Sequence, residues 1–344
     1  MTEWTERKDA WQEEASLNWQ SLTLQHVLAA QQRTRGIVWQ TPLVPSPQLA
    51  ATVGARTVHL KLESLQHTGA FKLRGAANKI LGLTDAEKQR GVITFSTGNH
   101  GRAVAYAAGA AGVKAIVCLS GQVPKNRVAL VEQLGAVAEV MGKSQDEAEA
   151  HYEHLIREES YVAVPPFDDP AVIAGQGTVG LEMLTARPEL DTLLVPLSGG
   201  GLLAGTALAA KAISPRIRVI GVSIDRSPVM LESLKVGRPV VMEEQVTLAG
   251  SLLGGIGREN AYTLPLIRQL VDEHVVVAEE AIAPGMRYAL DHHSLVIEGA
   301  AAVGLAALQQ GQVKAAGRHV GVILSGSCIE PEKYLALMQD SLNK

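Results

Sequence analysis

The sequence predicts an α/β chain built on parallel sheets and divided into two domains. Three observations predict it. From about Ser21 onward, short β-branched runs alternate with helical periods, the pattern of βα units. The chain has 344 residues, more than a single core usually grows to. Glycine is abundant, at 33 residues, while aromatics make up only 4%, which suits many tight strand-to-helix turns.

Residues 1–20 are polar and charged, with Trp4, Trp11 and Trp19 interspersed, and read as a loosely docked or helical extension. Strands are expected at 58–62, 92–95, 114–119, 136–140, 161–164, 192–197, 217–224, 274–278 and 319–324. Helices are expected between them, among others at 99–111, 125–134, 144–158, 170–185, 202–213, 279–293 and 331–342. The PPFDDP turn at 165–170 ends one unit and starts another. Site motifs lie on both sides of residues 91–165. That segment is therefore expected as a small unit inserted into a larger one made of 21–90 and 166–344.

Composition narrows the function. A net charge of -4 leaves no electrostatic footprint for nucleic acid or an anionic membrane. Cys118 and Cys328 cannot make a disulfide framework and fit a reducing cytosol, so a cytoplasmic location is expected. The N-terminus lacks a basic start followed by an apolar run. No window approaches the ~18 apolar residues of a membrane span.

Four segments carry chemistry. In TGAFKLRGA, at 68–76, Phe71 and Lys72 stand between a small-residue turn and a helix-forming run. A neutral lysine amine condenses with an aldehyde to a Schiff base. SGGGLLAG, at 198–205, follows the apolar run TLLVPL and opens a helix. Its backbone N–H groups and helix end suit a phosphate. Gly199, Gly201 and Ala204 also match a dinucleotide pattern, with Asp225 at the end of the next strand, so a nicotinamide-dependent oxidoreductase is a rival reading. STGNHGRA, at 96–103, joins a strand to a helix. Ser96, Thr97, Asn99 and the amides that follow could catch a carboxylate or phenolate. The plainer reading is a helix cap by Ser96 or Thr97, worth ~1 kcal/mol. LSGSC, at 324–328, puts Ser325 at the C-terminal end of a strand, the edge where open α/β sheets bind ligands. It lacks the G-x-S-x-G pattern of a hydrolase elbow.

Other groupings read as surface. His151 and His154 have charged neighbours, and His292–His293 is likewise assigned to the surface. No C-x-x-C or H-E-x-x-H occurs, so zinc is disfavoured.

Taken together, from about Leu22 to about Leu337, the segments resemble the fold-type II pyridoxal-phosphate enzymes, in particular the threonine/serine dehydratase and serine racemase family. The TPL turn at 41–43, FDDPAVIAGQGT at 167–178 and VIEGAAAVG at 296–304 share in the likeness. The resemblance implies a two-domain fold like the tryptophan synthase β subunit, each domain an open, mostly parallel twisted sheet flanked by helices. It implies pyridoxal 5'-phosphate held on Lys72, with Phe71 against its ring and Asn99 on its hydroxyl. Ser198, Gly199, Gly200, Gly201 and Leu202 would hold the phosphate, and Ser325 would face the pyridine nitrogen. Ser96, Thr97, Gly98, Asn99 and His100 would clamp the substrate carboxylate. A homodimer is also implied.

The implied activity is β-elimination of water from a β-hydroxy amino acid. A serine, unlike a carboxylate, does not stabilise a protonated pyridine nitrogen, which favours loss of a β-leaving group. The chain departs from the family pattern at several points. Ala70 replaces a serine, Ser198 a glycine and Cys328 an asparagine, and Thr97 stands where racemases have a serine. VSID at 222–225 lacks a leading glutamate and Val229 replaces a second carboxylate, so no metal is expected there. The segments TGAFKLRGA, STGNHGRA, LLGGIG and IEGAAAVG are most similar to the hydroxyectoine-utilisation dehydratases. A hydroxyectoine-derived substrate is therefore expected. Threonine/serine ammonia-lyase and amino-acid racemase activities are alternatives within the same family, and a non-catalytic amino-acid binding protein is a third.

Overall fold

In the computed structural model, which describes residues 18–96, 98–121, 123, 125–142 and 145–340, ten strands follow one another along the chain. They are β1 (Leu43–Pro45), β2 (Thr57–Leu62), β3 (Val92–Phe95), β4 (Ala115–Leu119), β5 (Val137–Val140), β6 (Val162–Ala163), β7 (Thr192–Pro196), β8 (Arg218–Ile224), β9 (Glu273–Val277) and β10 (His319–Leu324). Every strand expected from the sequence is present, with ends shifted by no more than one residue. Only β1 was not expected. It is three residues long and ends in a proline, too short to show a period.

Two sheets form. One has the order β1-β2-β10-β7-β8-β9 and the other β5-β4-β3-β6. All neighbours are parallel except β1, which runs antiparallel on β2 as an edge. Parallel strands are covered by helices on both faces, which explains their unbroken apolar runs. In β7, Leu193 and Val195 enter one core while Leu194 enters the other, following the two-residue period of a strand. In the smaller sheet, Val92 and Val117 face one core while Ile93, Ile116 and Cys118 face another.

The PPFDDP turn is more than a boundary. Asp169 caps the helix Pro170–Ala186, accepting from the amides of Ala171 at 2.9 Å and Val172 at 3.0 Å. Asp168 accepts from the amides of Ala261, Tyr262 and Thr263, at the start of the helix Thr263–Leu270. The turn thus ties a distant helix to the chain just before the long central one.

The helix Pro170–Ala186 is buried along most of its length and packs closely on the helix Lys72–Leu81. Gly175 permits that approach. A Cβ there would lie 2.5 Å from the Arg74 carbonyl oxygen and 2.7 Å from Gly75 Cα. Gly175→Ala should push the two helices apart and lower stability by about 1–3 kcal/mol, read as a lower denaturant midpoint at unchanged slope.

Under the same helix pair lies a buried ionic network. Arg74 donates to both oxygens of Glu63, at 2.7 and 2.8 Å, and to both oxygens of Glu182, at 2.6 and 2.8 Å. Lys61 Nζ donates to Glu182 Oε2 at 2.5 Å and to the Thr41 carbonyl at 2.6 Å. All four charged side chains are at most 5% exposed. Two cations face two carboxylates, so the group is neutral and its polar atoms are satisfied.

Among the described residues, no helix is long and apolar enough to cross a membrane.

Candidate active site

Lys72 opens the helix Lys72–Leu81, and two contacts fix the chain before it. Ala70 forms an antiparallel bridge with Gly326, and the Phe71 amide donates to the Ser325 carbonyl at 3.0 Å. The lysine segment is thereby fastened to the end of β10. Gly69 makes the preceding turn at φ +74°, in the left-handed region that favours glycine.

The Lys72 amine donates to the Pro166 carbonyl at 2.7 Å and lies 5.3 Å from the centre of the Phe71 ring. Burial lowers its pKa to about 8, a shift only partly opposed by Glu298. Lys61 is also buried, but Glu182 holds it as an ammonium-carboxylate pair. Lys72 has a carbonyl instead of a counter-ion, so its neutral, nucleophilic form is accessible near neutral pH. The sign is testable. Reductive methylation of Lys72 by a small aldehyde should rise with pH and level off above about 8. Ordinary lysines, with pKa about 10.4, should keep accelerating beyond that point. Peptide mapping of the cofactor-free protein would separate the two.

Ser198–Leu202 follows β7 directly. Gly200, at φ +89°, is the residue before the helix Gly201–Ile213, and no side chain caps that helix. Its first amides are therefore left for another partner. Side chains would fill the turn. A Cβ on Gly199 would run into the Phe167 ring, and one on Gly201 would lie 3.0 Å from Phe167 Cα.

The helix Asn99–Ala111 starts after Gly98 and, among the described residues, also has no side-chain cap. The capping expected of Ser96 is not seen there. Among the described residues, Ser96 Oγ accepts only from the Gly98 amide, at 3.4 Å. Thr97 lies outside the described residues. Asn99 Nδ2 donates to Glu298 Oε1 at 2.9 Å. His100 Nε2 bonds the Val164 carbonyl at 2.8 Å, which places its proton on that nitrogen and leaves Nδ1 buried with no partner. Burial lowers the His100 pKa to about 3, so the ring stays neutral.

One cavity of about 740 Å³ joins these pieces. Its lining includes Phe71, Lys72, Ser96, Gly98, Asn99, His100, Ser198, Gly199, Gly200, Gly201, Leu202 and Ser325. The structure thus brings together every expected site residue that it describes. Asp225, which a dinucleotide reading would use, is exposed and absent from the lining. His151 and His154 lie elsewhere, with His151 beside Glu139. His293 corrects a surface assignment. It is only half-exposed, and its Nε2 bonds the buried Ser46 hydroxyl at 2.9 Å.

The lining also holds residues that were not anticipated, Glu298 and Arg102 among them. Glu298 is held by Asn99 and Ser251, and burial raises its pKa to about 7. An acid directly before the wholly apolar run of the helix Gly299–Gln309 was a readable signal for it. Arg102 lies one turn past Asn99 in the same helix.

The pattern of the family described as "Pyridoxal-phosphate dependent enzyme" matches residues 34–326. A provisionally named threonine dehydratase of Sinorhizobium fredii is 49% identical over 310 residues, 90% of this chain and 93% of its own length. The L-threonine ammonia-lyase of Thermotoga maritima is 38% identical over 312 residues, 90% of this chain and 76% of its own. Among solved structures, maize serine racemase superposes with a TM-score of 0.86 at 33% identity, covering 94% of this chain and 98% of its own.

Proposed function

The chain belongs to the pyridoxal-phosphate dependent enzymes and is a lyase of the threonine dehydratase type, and from that premise we propose that it eliminates water from a β-hydroxy amino acid derived from hydroxyectoine, with Lys72 as the reactive amine. The observation that carries this reading is the cavity that joins the Lys72 amine, bonded to a carbonyl, to two helix starts with no side-chain cap among the described residues.

The residues present fit the cofactor. The glycine turn that a Cβ would fill matches a phosphate at a helix start. Ser198, Gly199, Gly200, Gly201 and Leu202 would hold that phosphate, Lys72 the aldehyde carbon, Asn99 the ring hydroxyl and Ser325 the ring nitrogen, with Phe71 against the ring. Bound pyridoxal phosphate supplies an electron sink beside the substrate α-carbon. Ser325, a buried hydroxyl, brings no negative charge to the ring nitrogen. Residues 96–100 would grip the α-carboxylate through the free amides at their helix start. The Pro166 carbonyl aims the Lys72 amine, which takes the α-proton in its neutral form. The Lys72 ammonium so formed returns that proton to the β-hydroxyl, which departs as water, and the released enamine hydrolyses to a 2-oxo acid and ammonia. His100, neutral and buried, adds no competing charge beside the amine.

The hydroxyectoine assignment draws support from TGAFKLRGA, STGNHGRA, IEGAAAVG and the LLGGIG loop, whose Gly254 and Gly255 line the cavity and leave its wall open. We also take residues 91–165 as the small inserted unit of a homodimeric enzyme. The test is release of 2-oxo acid and ammonia from threonine, serine and ring-opened hydroxyectoine. The reading expects the last to be the best substrate. Faster turnover of threonine would make the enzyme an ordinary threonine ammonia-lyase.

A further inference from the structure

One guanidinium on the cavity wall makes no salt bridge among the described residues. Arg102 donates from Nη1 to Cys328 Sγ at 2.8 Å, while its Nε is buried with no hydrogen-bond partner. The thiol is a weak acceptor. Burial pushes its pKa up to about 11, so it remains uncharged at neutral pH. The nearby carboxyl of Glu298 is already engaged by Asn99 and Ser251. The other guanidinium on the wall differs. Arg127 is exposed and paired with Glu330 at 3.0 Å. Arg74, deeper in the fold, is bonded to two carboxylates.

A half-buried guanidinium whose Nε is shut off from water and whose Nη1 is set against a thiol forgoes charge-assisted bonds that its fork is shaped to make. A carboxylate or an amide carbonyl would restore them. The substrate α-carboxylate is accounted for by the free amides at the start of the same helix, so the Arg102 fork is left for a second group.

We propose that Arg102, backed by Cys328, binds an acceptor oxygen on the substrate side chain beyond the β-carbon, and so selects longer β-hydroxy amino acids over threonine. This rests on the elimination reading for the position of the α-carboxylate. Two sources share the chemistry: a second carboxylate, or an acyl amide such as ring-opened hydroxyectoine carries.

The experiment titrates the holoenzyme with threonine, 3-hydroxyaspartate and 4-acetamido-2-amino-3-hydroxybutyrate, following the change in its near-visible absorbance. The wild-type protein should bind one of the two longer compounds at least about tenfold more tightly than threonine, the scale of one charge-assisted hydrogen bond. The compound preferred tells carboxylate from amide. In Arg102→Gln that ratio should collapse towards one, and Arg102→Lys should restore part of it. Equal binding of all three by the wild type would overturn the proposal. So would a proportional weakening of all three in Arg102→Gln, because that marks an α-carboxylate or packing role. The readout is binding, so a protein that binds but releases no 2-oxo acid counts against the elimination reading alone.

Discussion

Replacing Lys72 by alanine should lower turnover by at least about a thousandfold, since a positioned general base alone contributes about 10²–10⁴. The residue also supplies the covalent tether, so the loss should sit near or above the top of that range. The glycine turn at 198–202 and the packing of the helix Lys72–Leu81 do not depend on the amine. Its one hydrogen bond goes to the Pro166 carbonyl. The variant should therefore fold, with a denaturation midpoint close to that of the wild type. An added small primary amine should restore part of the activity, because it replaces a proton acceptor and not a structural contact. Single-turnover assay of 2-oxo acid with and without ethylamine checks both points. Full activity in Lys72→Ala would remove the lysine from the mechanism.

Arg74→Met should destabilise the fold by about 3–5 kcal/mol, the cost of breaking a buried ion pair by removing one partner. Arg74 engages four carboxylate oxygens on Glu63 and Glu182. Without it, Lys61 alone faces two buried carboxylates. Arg74→Lys should recover only part of the loss, since an ammonium cannot form the two-sided fork. The pH dependence gives a second signature. Burial alone would raise the Glu63 pKa, but Arg74 and Lys61 bring it below the usual value. A depressed carboxylate adds stability that is present above its unfolded pKa and lost as pH falls through its folded pKa. With Arg74 gone, burial raises that pKa, and acidification should then stabilise the variant. Urea unfolding at several pH values shows whether the slope reverses. The consequence for function is local, because Arg74 stands two residues after Lys72 at the start of the same helix.

Most of the fold was legible because parallel strands buried on both faces read as short apolar runs, such as TLLVP and HVGVIL. The strand β1 was not, since three residues carry no period. The site was legible where one segment held a whole device, as in TGAFKLRGA and SGGGLLAG. It was not legible where residues far apart met. The four charges at 61, 63, 74 and 182 look unrelated in sequence, yet they form one neutral cluster under the lysine helix. The two aspartates of PPFDDP read as a boundary, yet one caps a helix that begins at Thr263. Cys328 was visible as a departure, but its meaning needed the guanidinium of Arg102, 226 positions away.

The measurement that bears most directly on the account is borohydride reduction of the purified holoenzyme, followed by peptide mapping. The Lys72 amine is bonded to a carbonyl and makes no salt bridge among the described residues, whereas the buried Lys61 is paired with Glu182. The account expects loss of the near-visible band and a stable pyridoxyl adduct on the peptide that contains Lys72. An adduct on Lys61 or another lysine, or no band after pyridoxal phosphate is added, would contradict it.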